Sequence, residues 1–234
     1  RDSTYPFKPD VYRTHMRTVF LDSGPVAHLS NGDCSKPLCG AEMSSSDLVE
    51  HQPQGFVIEN GIFVKIGNTE EIESEYGRPD SISLNGRAII PGLIDAHTHL
   101  LWGGDRSDEM RLRQAGKSYH EIAALGGGIN YTVEATRDLT QNQLIEIGNH
   151  RLRQSLRNGT TALETKSGYG LDTETELKLL RAANQLKTES NQEISLTWLG
   201  AHNSPPDMDI KSYVEQIMSD QLPAVIEQGL AKSA

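Results

Sequence analysis

Apolar residues along the chain follow two different rhythms, and the change between them falls near residue 88. Ahead of it, Gly55-Phe56-Val57-Ile58-Glu59 and Ile62-Phe63-Val64-Lys65-Ile66-Gly67 are β-rich runs joined by Asn60-Gly61. Asn-Gly is the strongest short hairpin signal, because both residues tolerate positive φ in a tight turn. A third apolar run, Ala88 to His97, opens the second part as a strand.

From there, strands alternate with helices, the pattern of a parallel β/α architecture. Asp138 to Arg157 reads as one amphipathic helix, with Leu139, Leu144, Ile147, Leu152 and Leu156 near one face and Asn158-Gly159 as its stop. Thr160 to Lys166 is then a strand, and Asp172 or Thr173 caps a helix carrying Leu177, Leu180, Ala183 and Leu186. Glu193 to Leu199 is the next strand, and a last helical pattern runs from Ile210 towards Leu230, interrupted by Pro223. Residues 1–54 pattern poorly, and Ser30 to Ser46 has a surface loop's composition. These boundaries predict two regions: residues 1–87, a small β-region with a loop-rich start, and residues 88–234, the first part of a β/α domain.

Composition narrows the class. With 36% hydrophobic and 23% charged residues the chain has the profile of a folded globular protein. A formal charge of −10 argues against nucleic-acid or anionic-membrane partners, which require clustered Lys and Arg. No apolar run reaches the roughly 20 residues of a membrane span, and the first thirty residues carry no signal pattern, so a cytoplasmic protein is expected. Cys34 and Cys39 alone make neither a disulfide framework nor a four-ligand zinc site. Opening on Arg1 and stopping at Ala234 inside a helical pattern, the chain reads as cut at both ends.

His97 and His99 are two residues apart at the end of an apolar strand, so both imidazoles project to the same side, a chelating arrangement. Their alternative is two ordinary strand-end histidines. Arg106, seven residues on, is positioned to grip a carboxylate with its planar fork, or else to pair with Asp105 or Asp108 at the surface. Tyr169, between Gly168 and Gly170 just after a strand, can project over a pocket or cover the core edge. His202 follows the next strand and is either a pocket residue or a capping one. Gly126-Gly127-Gly128 fits a helix stop and tight turn better than an anion cradle.

The run Ile89-Ile90-Pro91-Gly92-Leu93-Ile94-Asp95-Ala96-His97-Thr98-His99 resembles the first metal-binding strand of the amidohydrolase superfamily. Trp102-Gly103-Gly104-Asp105-Arg106, Ala124-Leu125-Gly126-Gly127-Gly128-Ile129, Lys166-Ser167-Gly168-Tyr169-Gly170-Leu171-Asp172 with Glu174-Thr175-Glu176-Leu177-Lys178, and Leu199-Gly200-Ala201-His202 together resemble its imidazolonepropionase family.

The resemblance covers roughly residues 55–230 and implies an α/β fold: a partial TIM-like (β/α)8 barrel preceded by a small β-sandwich-like region. A closed barrel takes about 250 residues, more than remain after residue 88. It implies His97 and His99 as ligands of one metal ion, zinc or iron, and Arg106, Tyr169 and His202 as contacts to the substrate, 4-imidazolone-5-propanoate. The implied reaction is metal-assisted hydrolysis of that cyclic amide to N-formimidoyl-L-glutamate in histidine degradation, by a full-length homodimer. Lys166 is expected to be structural rather than a carboxylated metal bridge. In this family the remaining His ligand, a Glu and a proton-shuttling Asp lie on later strands; no His follows His202, so no catalytic residue is expected in this chain and little turnover from it alone. Another cyclic-amide hydrolase, a deaminase, or an inactive half-barrel serving as a binding module are the alternatives.

Overall fold

The computed structural model describes residues 17–21, 26–29, 48–51, 55–60, 62–77, 81–205 and 208–234. The chain divides into two compact units, Arg1–Ile94 and Asp95–Ala234. Cys34, Cys39 and the segment read as a surface loop lie outside the described residues.

In the first unit, strands β1 (Arg17–Leu21), β4 (Gly55–Glu59), β5 (Ile62–Gly67) and β6 (Ile82–Ser83) form a sheet in the order β5-β4-β1-β6. Strands β2 (Val26–Leu29) and β3 (Leu48–His51) pair antiparallel as a separate ladder. The hairpin expected at Asn60-Gly61 is present: β4 and β5 run antiparallel with Glu59 opposite Ile62, and Asn60 takes a φ of 52°. Helix α1 (Thr69–Tyr76), capped by the Asn68 side chain, buries Ile72 against Val57. Phe20, Phe56 and Leu84 form a second small core, with Phe20 stacked on Phe56 at 4.7 Å. Strands β1, β2 and β3 fall where the sequence showed no clear pattern.

The second unit is built on a sheet of order β7-β8-β9, formed by β7 (Leu93–Thr98), β8 (Thr160–Lys166) and β9 (Glu193–Thr197). Strands β8 and β9 are parallel. Strand β7 starts at Leu93 rather than Ala88, because Pro91 has no N–H to give a ladder. The connections carry α2 (Asp108–Gln114), α3 (Tyr119–Ala124), α4 (Gly128–Arg137), α5 (Gln141–Arg157) and α6 (Thr173–Glu189). The helix read over Asp138 to Arg157 is α5, starting three residues later than expected: α4 ends at Arg137, and Thr140 opens α5 with a reciprocal capping box to Gln143. Its buried face is Leu144, Ile145, Gly148 and Leu152, while Leu156 is exposed. Asp172 caps α6 by accepting from Thr175 N at 2.7 Å, as the sequence suggested.

Beyond β9, the last helical pattern resolves into α7 (Ile210–Gln216), a π-helical turn Ile217–Gln221 and α8 (Leu222–Gln228) with Pro223 in its first turn, where a missing N–H is harmless. The chain does not end in helix. Gly229 terminates α8 in the left-handed region, and Ser233 then bridges Thr197 in parallel at the free edge of β9, with Trp198 N donating to Ser233 O and Lys232 N to Leu196 O. The apolar sides of α5 and α6 pack with the sheet around Leu144, Leu152, Leu163, Leu180, Leu186 and Ile194. Among the described residues no helix is long and apolar enough to cross a membrane.

Candidate functional site

The residues singled out in sequence come together where β7, β8 and β9 give way to their following loops. His97 is exposed near the end of β7 and His99 is half-buried just beyond it. Their ring centroids are 5.9 Å apart. His99 lies in parallel stack with His202 at 4.6 Å and tilts against Tyr169 at 4.8 Å; Tyr169 and His202 meet edge-on at 5.3 Å. Four aromatic side chains from three consecutive strand ends thus share one surface.

Hydrogen bonds hold the chain on either side of His99 and at His202. Past His99, Leu100 N donates to Thr165 Oγ1 at 3.3 Å, and Arg151 of α5 donates to Leu100 O at 2.7 Å and Trp102 O at 3.2 Å while its guanidinium covers the Trp102 ring at 3.8 Å. Before it, Thr98 Oγ1 donates to Glu164 O at 2.6 Å. His202 ends a 3-10 turn, Gly200–His202, whose Gly200 O accepts from the buried Tyr213 hydroxyl at 2.6 Å. His202 Nδ1 lies 3.1 Å from Gly168 O. A carbonyl only accepts, so Nδ1 carries the hydrogen and Nε2 is left for a ligand. Gly168 has a φ of 104°, and a Cβ there would sit 2.7 Å from Leu199 O and 2.9 Å from His202 Cβ, so a side chain would push the two loops apart.

Burial, assisted by His202 and His97, pulls the pKa of His99 down to about 4, so the ring is neutral near pH 7. Its Nδ1 is buried without a hydrogen-bond partner. A neutral imidazole with an unmatched, buried nitrogen suits a divalent cation, and two rings this far apart lie within reach of one ion given metal–nitrogen bonds of about 2.0–2.1 Å. Among the described residues, no group of three or more His, Cys, Asp or Glu is arranged to hold a metal. His97 and His99 together offer two nitrogen donors.

Arg106 pairs with neither Asp105 nor Asp108, the partners weighed in sequence. Its Nε and Nη2 each donate to Glu109 at 2.8 Å, and Glu109 also accepts from Gly128 N at 2.6 Å. The Arg106 hydrogen bonds hold the Glu109 carboxyl down at a pKa of about 2. One edge of the guanidinium is therefore occupied, and the Nη1/Nη2 end remains for an external carboxylate. The Gly128 contact also explains the triple glycine: Gly126 and Gly128 have positive φ between α3 and α4, and the Gly128 N–H is taken by a protein carboxylate rather than offered to a ligand. Tyr169, its phenol pKa raised chiefly by burial, feels the field of Arg106, and so does Tyr119 at the start of α3.

Lys166 bonds Glu164 at 2.8 Å. Burial alone would raise the Glu164 carboxyl, but hydrogen bonds from Lys166 and the Thr197 hydroxyl hold it below its usual range. Lys166 is thus an ion-pair partner here. Four residues that sequence reasoning passed over matter to this surface: Tyr119, Glu109, Glu164 and Glu176. Glu109 had a readable signal, since acid and base three apart face each other at a helix start; Glu164 beside Lys166 and Glu176 beside the loop it bonds are also near in sequence, whereas Tyr119 meets Arg106 only in the folded chain.

No protein-family model matches the chain. It is 44% identical over 186 residues to imidazolonepropionase from Klebsiella pneumoniae (strain 342), covering 78% of this chain and 46% of that protein. It is 44% identical over 191 residues to imidazolonepropionase from Shewanella sediminis (strain HAW-EB3), covering 78% and 47%. Among solved structures, guanine deaminase from Bradyrhizobium japonicum aligns with a TM-score of 0.46 at 16% identity, over 91% of this chain and 41% of that one, a likeness too slight to assign a fold by itself. The chain spans about half the length of the curated relatives it matches. Over that stretch, it is a homologue of the imidazolonepropionases.

Proposed function

We propose that this chain is the substrate-gripping part of a hydrolase that opens the cyclic amide of 4-imidazolone-5-propanoate to N-formimidoyl-L-glutamate in histidine degradation. The observation that carries the reading is the convergence of His97, His99, Tyr169 and His202 on one surface with a braced Arg106 nearby, in a chain whose relatives bear that activity. The sheet order β7-β8-β9, continued by Ser233 beside Thr197, supports reading the fold as part of a TIM-like (β/α)8 barrel.

Each residue then has a task. Arg106 offers the free end of its guanidinium to the propanoate carboxylate, and its salt bridge to Glu109 holds that end in place before the substrate arrives. Tyr169 lays its ring along one side of the imidazolone, and His202, oriented by Gly168 O, bonds a ring heteroatom through Nε2. His97 and His99 supply two nitrogens to one divalent ion, zinc or iron. When bound, that ion acidifies a water and polarises the ring carbonyl. Hydrolysis breaks the carbonyl carbon–nitrogen bond, leaving a carboxylate on carbon and the hydrogen on nitrogen.

Calorimetric titration with 3-(imidazol-4-yl)propanoate, a non-hydrolysable relative of the substrate, tests the reading. Binding that weakens about tenfold or more in Arg106→Ala is expected, since a charge-assisted pair contributes about 1.5–3 kcal/mol. Binding unchanged by Arg106→Ala would refute the carboxylate assignment and favour a deaminase or a different cyclic amide. Imidazolone absorbance should persist when substrate is mixed with this chain and zinc or iron; sustained metal-dependent loss would show that the site is complete without further residues.

A further inference from the structure

The loop that carries Tyr169 is folded around a buried carboxylate outside the set of site residues. Glu176, in the first turn of α6, is 0% exposed. Its Oε1 accepts from Gly170 N at 2.7 Å, Leu171 N at 3.1 Å and Gly168 N at 3.1 Å, and its Oε2 accepts from Gly168 N at 3.0 Å. The Ser167 side chain bonds the same carboxylate, and these bonds oppose burial, which pushes its pKa up. These backbone donors flank Tyr169 on both sides. On the other side of the loop, Arg137 donates to Gly170 O at 2.8 Å and Leu171 O at 3.3 Å and pairs with Asp172 at 2.9 Å.

The loop's conformation is one the chain does not adopt unaided. Leu171 holds a φ of 54°, a left-handed value that costs a branched side chain about 1–2 kcal/mol, and Gly168 is also left-handed. Successive N–H groups in such a conformation make a concave anion nest. In this nest the anion is the protein's own. Because the donors are backbone amides and a hydroxyl, the ionised form of Glu176 matches them and a neutral amide matches them only in part.

We infer that Glu176 is a positioning residue of the proposed site: its carboxylate templates the loop that presses Tyr169 against His99 and turns Gly168 O towards His202. The inference rests on the reading of Tyr169 and His202 as ligand contacts, and it adds a residue that touches no ligand. Two ring positions, Tyr169 directly and His202 through Gly168 O, depend on one side chain of α6. A carboxylate bonded to three backbone amides of one loop has little freedom to shift, so the loop is set before a ligand binds.

The test compares wild type with Glu176→Gln on the intact chain by two readouts. Amide hydrogen exchange at Gly168, Gly170 and Leu171 should speed up at least tenfold in Glu176→Gln while the Leu186 and Leu144 amides of the helices keep wild-type protection. Affinity for 3-(imidazol-4-yl)propanoate should fall about tenfold, the loss expected for a charge-assisted hydrogen bond. That fall should shrink when Glu176→Gln is made in a Tyr169→Ala background, leaving only the part carried by His202, because residues acting through one another are not additive. A loss that adds in full to that of Tyr169→Ala would overturn the inference, as would unchanged exchange at the three amides. Should Glu176→Gln not fold, Ser167→Ala removes one hydroxyl contact to the carboxylate and must show the same pattern at smaller amplitude. Wild type that binds no probe would sink the proposed function instead, and the exchange comparison would still decide the templating.

Discussion

Glu109 braces Arg106, and replacing it with Gln isolates what the charge contributes. The pair is close, with Nε and Nη2 both 2.8 Å from the carboxylate, and the side chains are 28% and 10% exposed. A fall in pKa from 4.5 to about 2 corresponds to roughly 3 kcal/mol at full strength, one unit being about 1.4 kcal/mol. Solvent reaching the Arg106 end screens part of this, so about 1–2 kcal/mol is expected, seen as a melting point lower by a few degrees at pH 7. The sign with pH follows from linkage. A carboxyl whose folded pKa is depressed contributes stability that is complete above its unfolded pKa and is lost as pH falls through the folded value, so roughly half has gone by pH 3. Melting curves of wild type and Glu109→Gln between pH 7 and pH 3 should therefore converge on acidification. Equal stability at pH 7, or a gap of constant size down to pH 3, would show that the charge of Glu109 does not hold Arg106.

Gly168→Ala places a Cβ 2.7 Å from Leu199 O at a φ of 104°, and urea titration should register a loss of about 2–3 kcal/mol with a weakened approach of His202. Asp172→Ala removes both the cap of α6 and the partner of Arg137, for an expected loss of about 1–2 kcal/mol by the same method. Leu186, 0% exposed between α6 and the sheet, should cost about 2–5 kcal/mol when cut to Ala, a value well below that range meaning that the core collapses into the gap.

The strands β8 and β9, the Asn60 hairpin and the caps of α6 were legible because each depends on a local signal: apolar runs between turn residues, a two-residue turn, a capping side chain. Strand β7 was also visible, though its start was set too early by apolar Ala88 and Ile89, of which Ile89 makes a single bridge before Pro91 interrupts the run. The start of α5 was set three residues early because Leu139 extends its apolar face, whereas it is the capping box at Thr140 that opens the helix. The final segment read as helix because Ala231 and Leu230 suit one, whereas its structure is decided by pairing with Thr197, an interaction distant in sequence. His97 and His99 could be placed together from their spacing, while Tyr169 and His202 joined them through the family resemblance. The carboxylates behind them were missed although part of their bonding is local, Glu164 with Lys166 and Glu176 with the loop ahead of its own helix; of these contacts only the bond from Thr197 to Glu164 joins separate β/α units.

The central claim is that His97 and His99 together form one side of a metal site. Equilibrium titration of the chain with zinc against a chromophoric chelator tests it most directly. One zinc per chain is expected, bound weakly for want of further ligands, with affinity lost in both His97→Ala and His99→Ala and kept in Lys166→Ala. Zinc binding of wild-type strength in either histidine variant would contradict it.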